Sequence, residues 1–224
     1  AMIRAQTRFG NIMLGATAKV VGTVSQAGTL DKLPTADCDI VELRLDLIGA
    51  DALQPIDQPV IGTIRLASEG GQWTQPDEAR LPLFDAALQH CTAADIELRS
   101  PLLDKVSALA AKRQRALIVS YHDFDKTPPL AELRQVMSRA ANYGTVVKIA
   151  TLTRTEDDLI VLRELFKENC SAALCVLGMG PLGPATRVEF PKLGSCFSYG
   201  YVDQPVAPGQ PSARELMEQF RQKA

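Results

Sequence analysis

The run Val146-Val147-Lys148-Ile149-Ala150 places a lysine inside a stretch that otherwise reads as a buried strand. Lysine is almost never fully buried without a partner, so the placement asks for a reason. One reason is a stem that snorkels to the rim of a sheet. The other is a desolvated amine, the nucleophile from which Schiff bases form. A second run, Ser120-Tyr121-His122-Asp123-Phe124, holds one of only two histidines in the chain. An imidazole with an ordinary pKa of about 6.5 can give and take protons at neutral pH. The other histidine, His90, falls at the end of a predicted helix and reads as solvent-facing.

Three more runs bring charge to apolar segments. In Glu42-Leu43-Arg44-Leu45-Asp46 the charges alternate, so on a strand all three share one face. They form either a structural ion pair or part of a binding site, because buried unpaired charges are costly. Arg65 leads into Ser68-Glu69-Gly70-Gly71, and Asp95 and Glu97 again sit two apart. No set of His, Cys and carboxylates has metal spacing, and no metal is expected. Gly178-Met179-Gly180-Pro181-Leu182-Gly183 lacks the Gly-Lys-Ser/Thr ending of a nucleotide-binding P-loop, so no cofactor is expected either. The chemistry these residues suit is that of a small, polar, anionic carbonyl compound.

Such residues need elements that bring them to one place. Eight β-branched or apolar bursts punctuate the chain: Lys19–Val24, Asp39–Arg44, Val60–Arg65, Ala94–Leu98, Ala116–Tyr121, Thr145–Ala150, Ala172–Gly178 and Ser195–Tyr199. Helical spacing lies between several of them, over Pro76–Gln89, Leu102–Lys112, Leu130–Tyr143 and Thr155–Glu168, the last opening on a Thr-Glu-Asp-Asp cap. A short helix over Ala213–Lys223 follows the last burst. Strands and helices alternating eight times predict an α/β fold of the (β/α)₈ TIM-barrel type, one catalytic domain over 1–224. An open dinucleotide-binding sheet would want Gly-x-Gly-x-x-Gly after the first strand, where this chain has Ser25-Gln26-Ala27-Gly28. Gly10-Asn11, between Thr7–Phe9 and Ile12–Leu14, predicts a β-hairpin closing the barrel bottom. In such a barrel, catalytic groups come from the C-terminal strand ends.

Composition narrows the partners. With 224 residues, 46% hydrophobic, and a formal net charge of −2, the chain can bury a large core but presents no basic face for nucleic acid. Its apolar runs are strand-sized, too short for a membrane span. The two early arginines, Arg4 and Arg8, are too few for a transit peptide. Five scattered cysteines, none in C-x-x-C, read as reduced thiols in a cytoplasmic protein.

The order of these motifs resembles the type I 3-dehydroquinate dehydratases over nearly the whole chain. Glu42-Leu43-Arg44-Leu45-Asp46 is similar to the family's Glu-x-Arg-x-Asp strand, and Arg65 with Glu69-Gly70-Gly71 to its Arg…Glu-Gly-Gly loop. His122-Asp123-Phe124 and Lys148-Ile149-Ala150 match two further signatures. Met179-Gly180 with Thr186-Arg187 resembles a Met-Gly…Ser-Arg loop, and Ala207-Pro208-Gly209-Gln210 the closing motif. The resemblance implies dehydration of 3-dehydroquinate to 3-dehydroshikimate in the shikimate pathway, and a homodimer. It implies Lys148 as imine-forming nucleophile, His122 as general acid and base, and Glu69 as the partner that orients His122. Arg187 would take the substrate carboxylate, joined by Gln210 on a lid from Tyr201 to Pro211. Glu42, Arg44 and Arg65 would hold ring hydroxyls, with Asp95 in support. One departure is Val206, where the family usually carries a lid serine. Tyr199 stands where phenylalanine is common. Competing readings are a class I Schiff-base aldolase on the same barrel and a non-catalytic module that senses quinate or shikimate.

Overall fold

The computed structural model describes residues 6–33, 37–207 and 209–222. Arg4, Pro208 and Lys223, used in the sequence reading, lie outside the described residues. A two-stranded hairpin, β1 (Thr7–Phe9) and β2 (Ile12–Leu14), comes first. The barrel strands are β3 (Lys19–Val24), β4 (Ile40–Arg44), β5 (Val60–Thr63), β6 (Ala93–Glu97), β7 (Ala116–Asp123), β8 (Val146–Leu152), β9 (Ala173–Met179) and β10 (Phe197–Tyr201). The helices are α1 (Leu45–Ile48), α2 (Leu81–His90), α3 (Leu103–Lys112), α4 (Leu130–Ala141), α5 (Glu156–Leu165), α6 (Gly183–Leu193) and α7 (Ala213–Arg221).

The eight barrel strands pair in parallel in the order β10-β3-β4-β5-β6-β7-β8-β9. Between β9 and β10 the ring is drawn together by Cys196 N–H donating to the Leu174 carbonyl at 2.8 Å. The Ser195 hydroxyl accepts from Val176 N–H at 3.1 Å beside it. The result is a nearly closed (β/α)₈ barrel, as the eight bursts predict.

Alternation along each strand divides the core in two. Val41, Leu43, Ala94, Ile96, Val119, Val147 and Ile149 face outward and are buried under the helices. Val21, Ile40, Ile61, Ala93, Ile118, Val146 and Ala173 face inward near the strand beginnings. Phe9 and Leu14 from the hairpin join this inner cluster, both fully buried, with Phe9 edge-on to Phe197 at 5.5 Å between centroids. Gly10 opens the hairpin turn at φ +60°, a conformation that glycine adopts without a Cβ penalty. The hairpin therefore plugs the bottom, and burial of two large apolar side chains holds it there.

Further along β4 to β8 the inward positions turn polar. Ile40 gives way to Glu42 and Arg44, Ile61 to Thr63, Ala93 to Asp95 and Glu97, Ile118 to Ser120 and His122, and Val146 to Lys148. An apolar base under a polar upper half confines ligand chemistry to the C-terminal mouth. The helices obey local rules. Thr155 caps α5 with a reciprocal Thr155–Asp158 box, and Ser212 caps α7 in the same way with Glu215. His90 ends α2 and is exposed, as read from the sequence.

Among the departures from the sequence reading, three bear on the site. The second barrel strand ends at Arg44 as read, but Asp46, read as sharing its face, belongs to α1. Asp46 reaches back to Arg44, which donates to it twice, at 2.9 and 2.7 Å. The third strand ends at Thr63 rather than Arg65, because the chain turns there into the loop that carries Glu69. Thr186 and Arg187 lie in helix α6 and not in a loop.

Candidate active site

One cleft at the C-terminal mouth is lined by Glu42, Arg44, Arg65, Glu69, His122, Lys148, Arg187 and Gln210. All eight site residues singled out from the sequence thus come together. Thr23, Thr63, Phe124, Tyr199 and Val206 line it with them.

Lys148 reaches the cleft because it occupies the inward position between Val146 and Ala150 on β8. It is 6% exposed, with Nζ 3.6 Å from Asp95 Oδ2 and 4.1 Å from the centre of the Tyr199 ring. Asp95 is fully buried. Burial alone would raise its carboxyl, but the Arg65 and Lys148 charges outweigh burial and hold it below the usual carboxylate range. Asp95 Oδ1 also accepts from the Ser120 hydroxyl at 2.7 Å.

His122 follows from β7 by the same alternation, inward after Ile118 and Ser120. Its Nδ1 lies 3.0 Å from Glu69 Oε2. With a carboxylate as acceptor the ring proton resides on Nδ1, which leaves Nε2 as the basic nitrogen. Burial, reinforced by the Arg65 and Lys148 charges, pushes the His122 pKa well below its ordinary value and keeps the imidazole neutral. Two glycines bring Glu69 into reach. Gly70 sits at φ +82°, where a Cβ would meet the Phe124 ring at 2.3 Å, and a Cβ on Gly71 would meet the Arg65 carbonyl at 2.1 Å. No larger residue lets this turn close so tightly.

The remaining charges are held by hydrogen bonds, some of them to one another. Arg65 Nη1 donates to Glu97 Oε1 at 2.9 Å and to Ser120 Oγ at 2.8 Å, and its Nη2 lies 2.8 Å from Asp95 Oδ1. Glu42 accepts from the hydroxyls of Thr23 and Thr63, both at 2.8 Å. Arg187 is 8% exposed on α6 and donates to the Tyr199 carbonyl at 2.8 Å. Burial without a facing carboxylate lowers its pKa to about 10, so an incoming carboxylate would relieve an unmet charge. Gln210 braces the loop after β10 by accepting from Val206 N–H at 3.0 Å.

Four contributors went unread or under-read in the sequence. Thr23 and Thr63 hold Glu42, and each was legible as an inward position near a strand end. Tyr199, which stands where phenylalanine is common, has a buried hydroxyl with no hydrogen-bond partner among the described residues. Arg99, two residues beyond Glu97 and so on the same parity, donates to Glu69 Oε1 at 2.9 Å. Among the described residues no cluster of three or more His, Cys, Asp or Glu is arranged to hold a metal ion. None of the described helices is long and apolar enough to cross a membrane.

A parallel (β/α)₈ barrel with a buried lysine and a carboxylate-backed histidine in its C-terminal cleft has the layout of a barrel enzyme. Similarity to known proteins shows the family. The family model described as type I 3-dehydroquinase matches residues 21–224, and the chain belongs to that family. It is 34% identical over 210 residues to a 3-dehydroquinate dehydratase of Methanocella arvoryzae, covering 91% of this chain and 95% of that one. It is 37% identical over 189 residues to the Methanothrix thermoacetophila 3-dehydroquinate dehydratase, covering 80% and 79% of the two. The fold superimposes on the type I 3-dehydroquinate dehydratase of Clostridium difficile with a TM-score of 0.89 at 24% identity, over 99% of this chain and 98% of that one. For the Aquifex aeolicus 3-dehydroquinate dehydratase the values are 0.79 at 27% identity, over 91% and 97%.

Proposed function

We propose that this protein dehydrates 3-dehydroquinate to 3-dehydroshikimate in the shikimate pathway, through an imine on Lys148. The observation that carries the reading is the convergence of Lys148, the His122–Glu69 pair and Arg187 on one cleft, in a chain of this family.

Lys148 Nζ attacks the C3 ketone of the substrate, and loss of water leaves an imine. The protonated imine draws electrons from the adjacent carbon and acidifies the C2 hydrogen. His122 Nε2 takes that proton. Electrons flow from the C2–H bond into the imine to give an enamine. His122 then returns the proton to the C1 hydroxyl, which leaves as water while the enamine electrons form the C1–C2 double bond. Hydrolysis of the conjugated imine releases product and restores the amine. Glu69 holds His122 in the tautomer both steps need. Arg187, with its planar fork, takes the substrate carboxylate, and Gln210 joins it from the loop after β10. Glu42, Arg44 and Arg65 meet the ring hydroxyls, with Asp95 in support. No cofactor or metal takes part. The catalytic unit is the whole chain as one domain, working in the cytoplasm as a homodimer.

The test is reduction with borohydride in the presence of 3-dehydroquinate, followed by peptide mass spectrometry. An adduct on Lys148, absent when substrate is omitted, is expected. Conversion of substrate with no adduct on any lysine would overturn the imine mechanism.

A further inference from the structure

The loop after β6 places a charged side chain behind the histidine. Arg99 Nε donates to Glu69 Oε1 at 2.9 Å, and its Nη2 donates to the backbone carbonyl of His122 at 2.7 Å. Its guanidinium also lies over the Tyr121 ring, 4.8 Å from the centroid. The other oxygen of Glu69 holds His122 Nδ1. One guanidinium therefore ties together three segments: the turn carrying Glu69, the end of β7, and its own loop. Lysine has one nitrogen where arginine has a rigid fork, and it cannot reach both acceptors with the same geometry.

We propose that Arg99 is a positioning residue for the reaction, clamping Glu69 and the His122 backbone so that Glu69 stays ionised and His122 presents Nε2 as base. The inference rests on the reading of His122 as the proton carrier. Arg99 itself touches no reacting atom. Its side chain is 52% exposed, so it can be replaced without opening the core.

Charged groups face the Glu69–His122 pair from several sides. Burial raises the Glu69 carboxyl above its ordinary value, and Arg99 first, then Arg65, offset only part of that rise. His122 faces Arg65, Lys148 and Arg44 as cations and Asp95 as an anion, all within the cleft or its floor. Arg99 is thus the cation that bonds Glu69 directly from the outer side. Removing its charge makes a proton easier to add to the Glu69–His122 pair, whichever member takes it. The acid limb of the pH–rate profile must then move to higher pH.

The experiment compares wild type, Arg99→Gln and Arg99→Lys as full chains. For Arg99→Gln, kcat at neutral pH should fall about ten-fold or more with little change in KM, since the lost interaction acts on the proton transfer. Its acid limb should shift upward. Arg99→Lys should return the limb to the wild-type position while recovering only part of kcat. An independent readout is ¹⁵N NMR of the imidazole in a His90→Gln background, where His122 is the only histidine left. The Nδ1-protonated tautomer should dominate in wild type and give way in Arg99→Gln. An unmoved acid limb together with an unchanged tautomer in Arg99→Gln would overturn the proposal. If wild type itself fails to dehydrate 3-dehydroquinate, the functional reading falls, and the NMR comparison still decides what Arg99 does to His122.

Discussion

Arg80 is the largest fully buried side chain among the described residues, and replacing it with methionine tests how the charged floor is held. Its guanidinium donates to Asp77 Oδ1 at 2.5 Å, the Ile64 carbonyl at 2.6 Å, Glu97 Oε2 at 2.7 Å and Ser100 Oγ at 3.2 Å. Glu97 is fully buried between this arginine and Arg65. Arg80→Met keeps most of the volume but leaves Glu97 half-compensated and strands the Ile64 carbonyl. Removing one partner of a buried ion pair costs about 3–5 kcal/mol, because the other charge stays buried. For a chain of this length about 1 kcal/mol corresponds to roughly 2–4 °C, so the midpoint should drop by about 6–20 °C. Adding Glu97→Gln should recover part of the loss, with a coupling of about 0.5–3 kcal/mol, since the stranded anion is gone. Thermal unfolding gives the midpoint shift, and urea unfolding of the four proteins in the cycle gives the coupling. An Arg80→Met midpoint within about 2 °C of wild type, or strict additivity in the cycle, would refute the reasoning.

Two further outcomes are expected. Val206→Ser should lower KM about five-fold at unchanged kcat, the effect of one neutral hydrogen bond of about 1 kcal/mol, since Val206 lines the cleft and its backbone already bonds Gln210; an unchanged KM would contradict this. His122 is held below its ordinary pKa in the folded state, so between that lowered value and about 6.5 the unfolded chain binds a proton that the native one refuses. Stability from this group is therefore lost as pH falls below about 6.5, and His122→Gln should lose less stability than wild type between about pH 7 and 5.5. Equal slopes in chemical unfolding across that range would show the attribution to be mistaken.

Much of the site could be read from the chain because strands impose a period of two. Once Ile118 and Val146 are taken as inward, His122 and Lys148 must be inward as well, and the (β/α)₈ order sends both to the same mouth. The hairpin was legible for a similar reason, as Gly10-Asn11 permits a two-residue turn between two short apolar runs. Where local rules run out, the reading shifted. Asp46 continued the strand alternation on paper, but the backbone turns helical at Leu45, and the aspartate serves Arg44 instead of the sheet.

The sequence alone, through hydrophobic period, strand count and motif order, determined the barrel, the end of it that carries the chemistry, and the eight side chains that meet there. The barrel and its active end are properties of each strand taken singly, together with its place in the order. Glu69, Arg187 and Gln210, by contrast, lie off the strands and took their roles from the motif resemblance. Which charge neutralises which was decided only by the tertiary structure. Arg65 could have paired with Glu42 or Glu69 as plausibly as with Asp95 and Glu97, and nothing near Arg99 in the chain points to Glu69, thirty residues away. Partner choice depends on strand stagger, on the tight Glu69-Gly70-Gly71 turn and on which charges are denied water. Those are set when eight strands close on one another, and no single segment contains them.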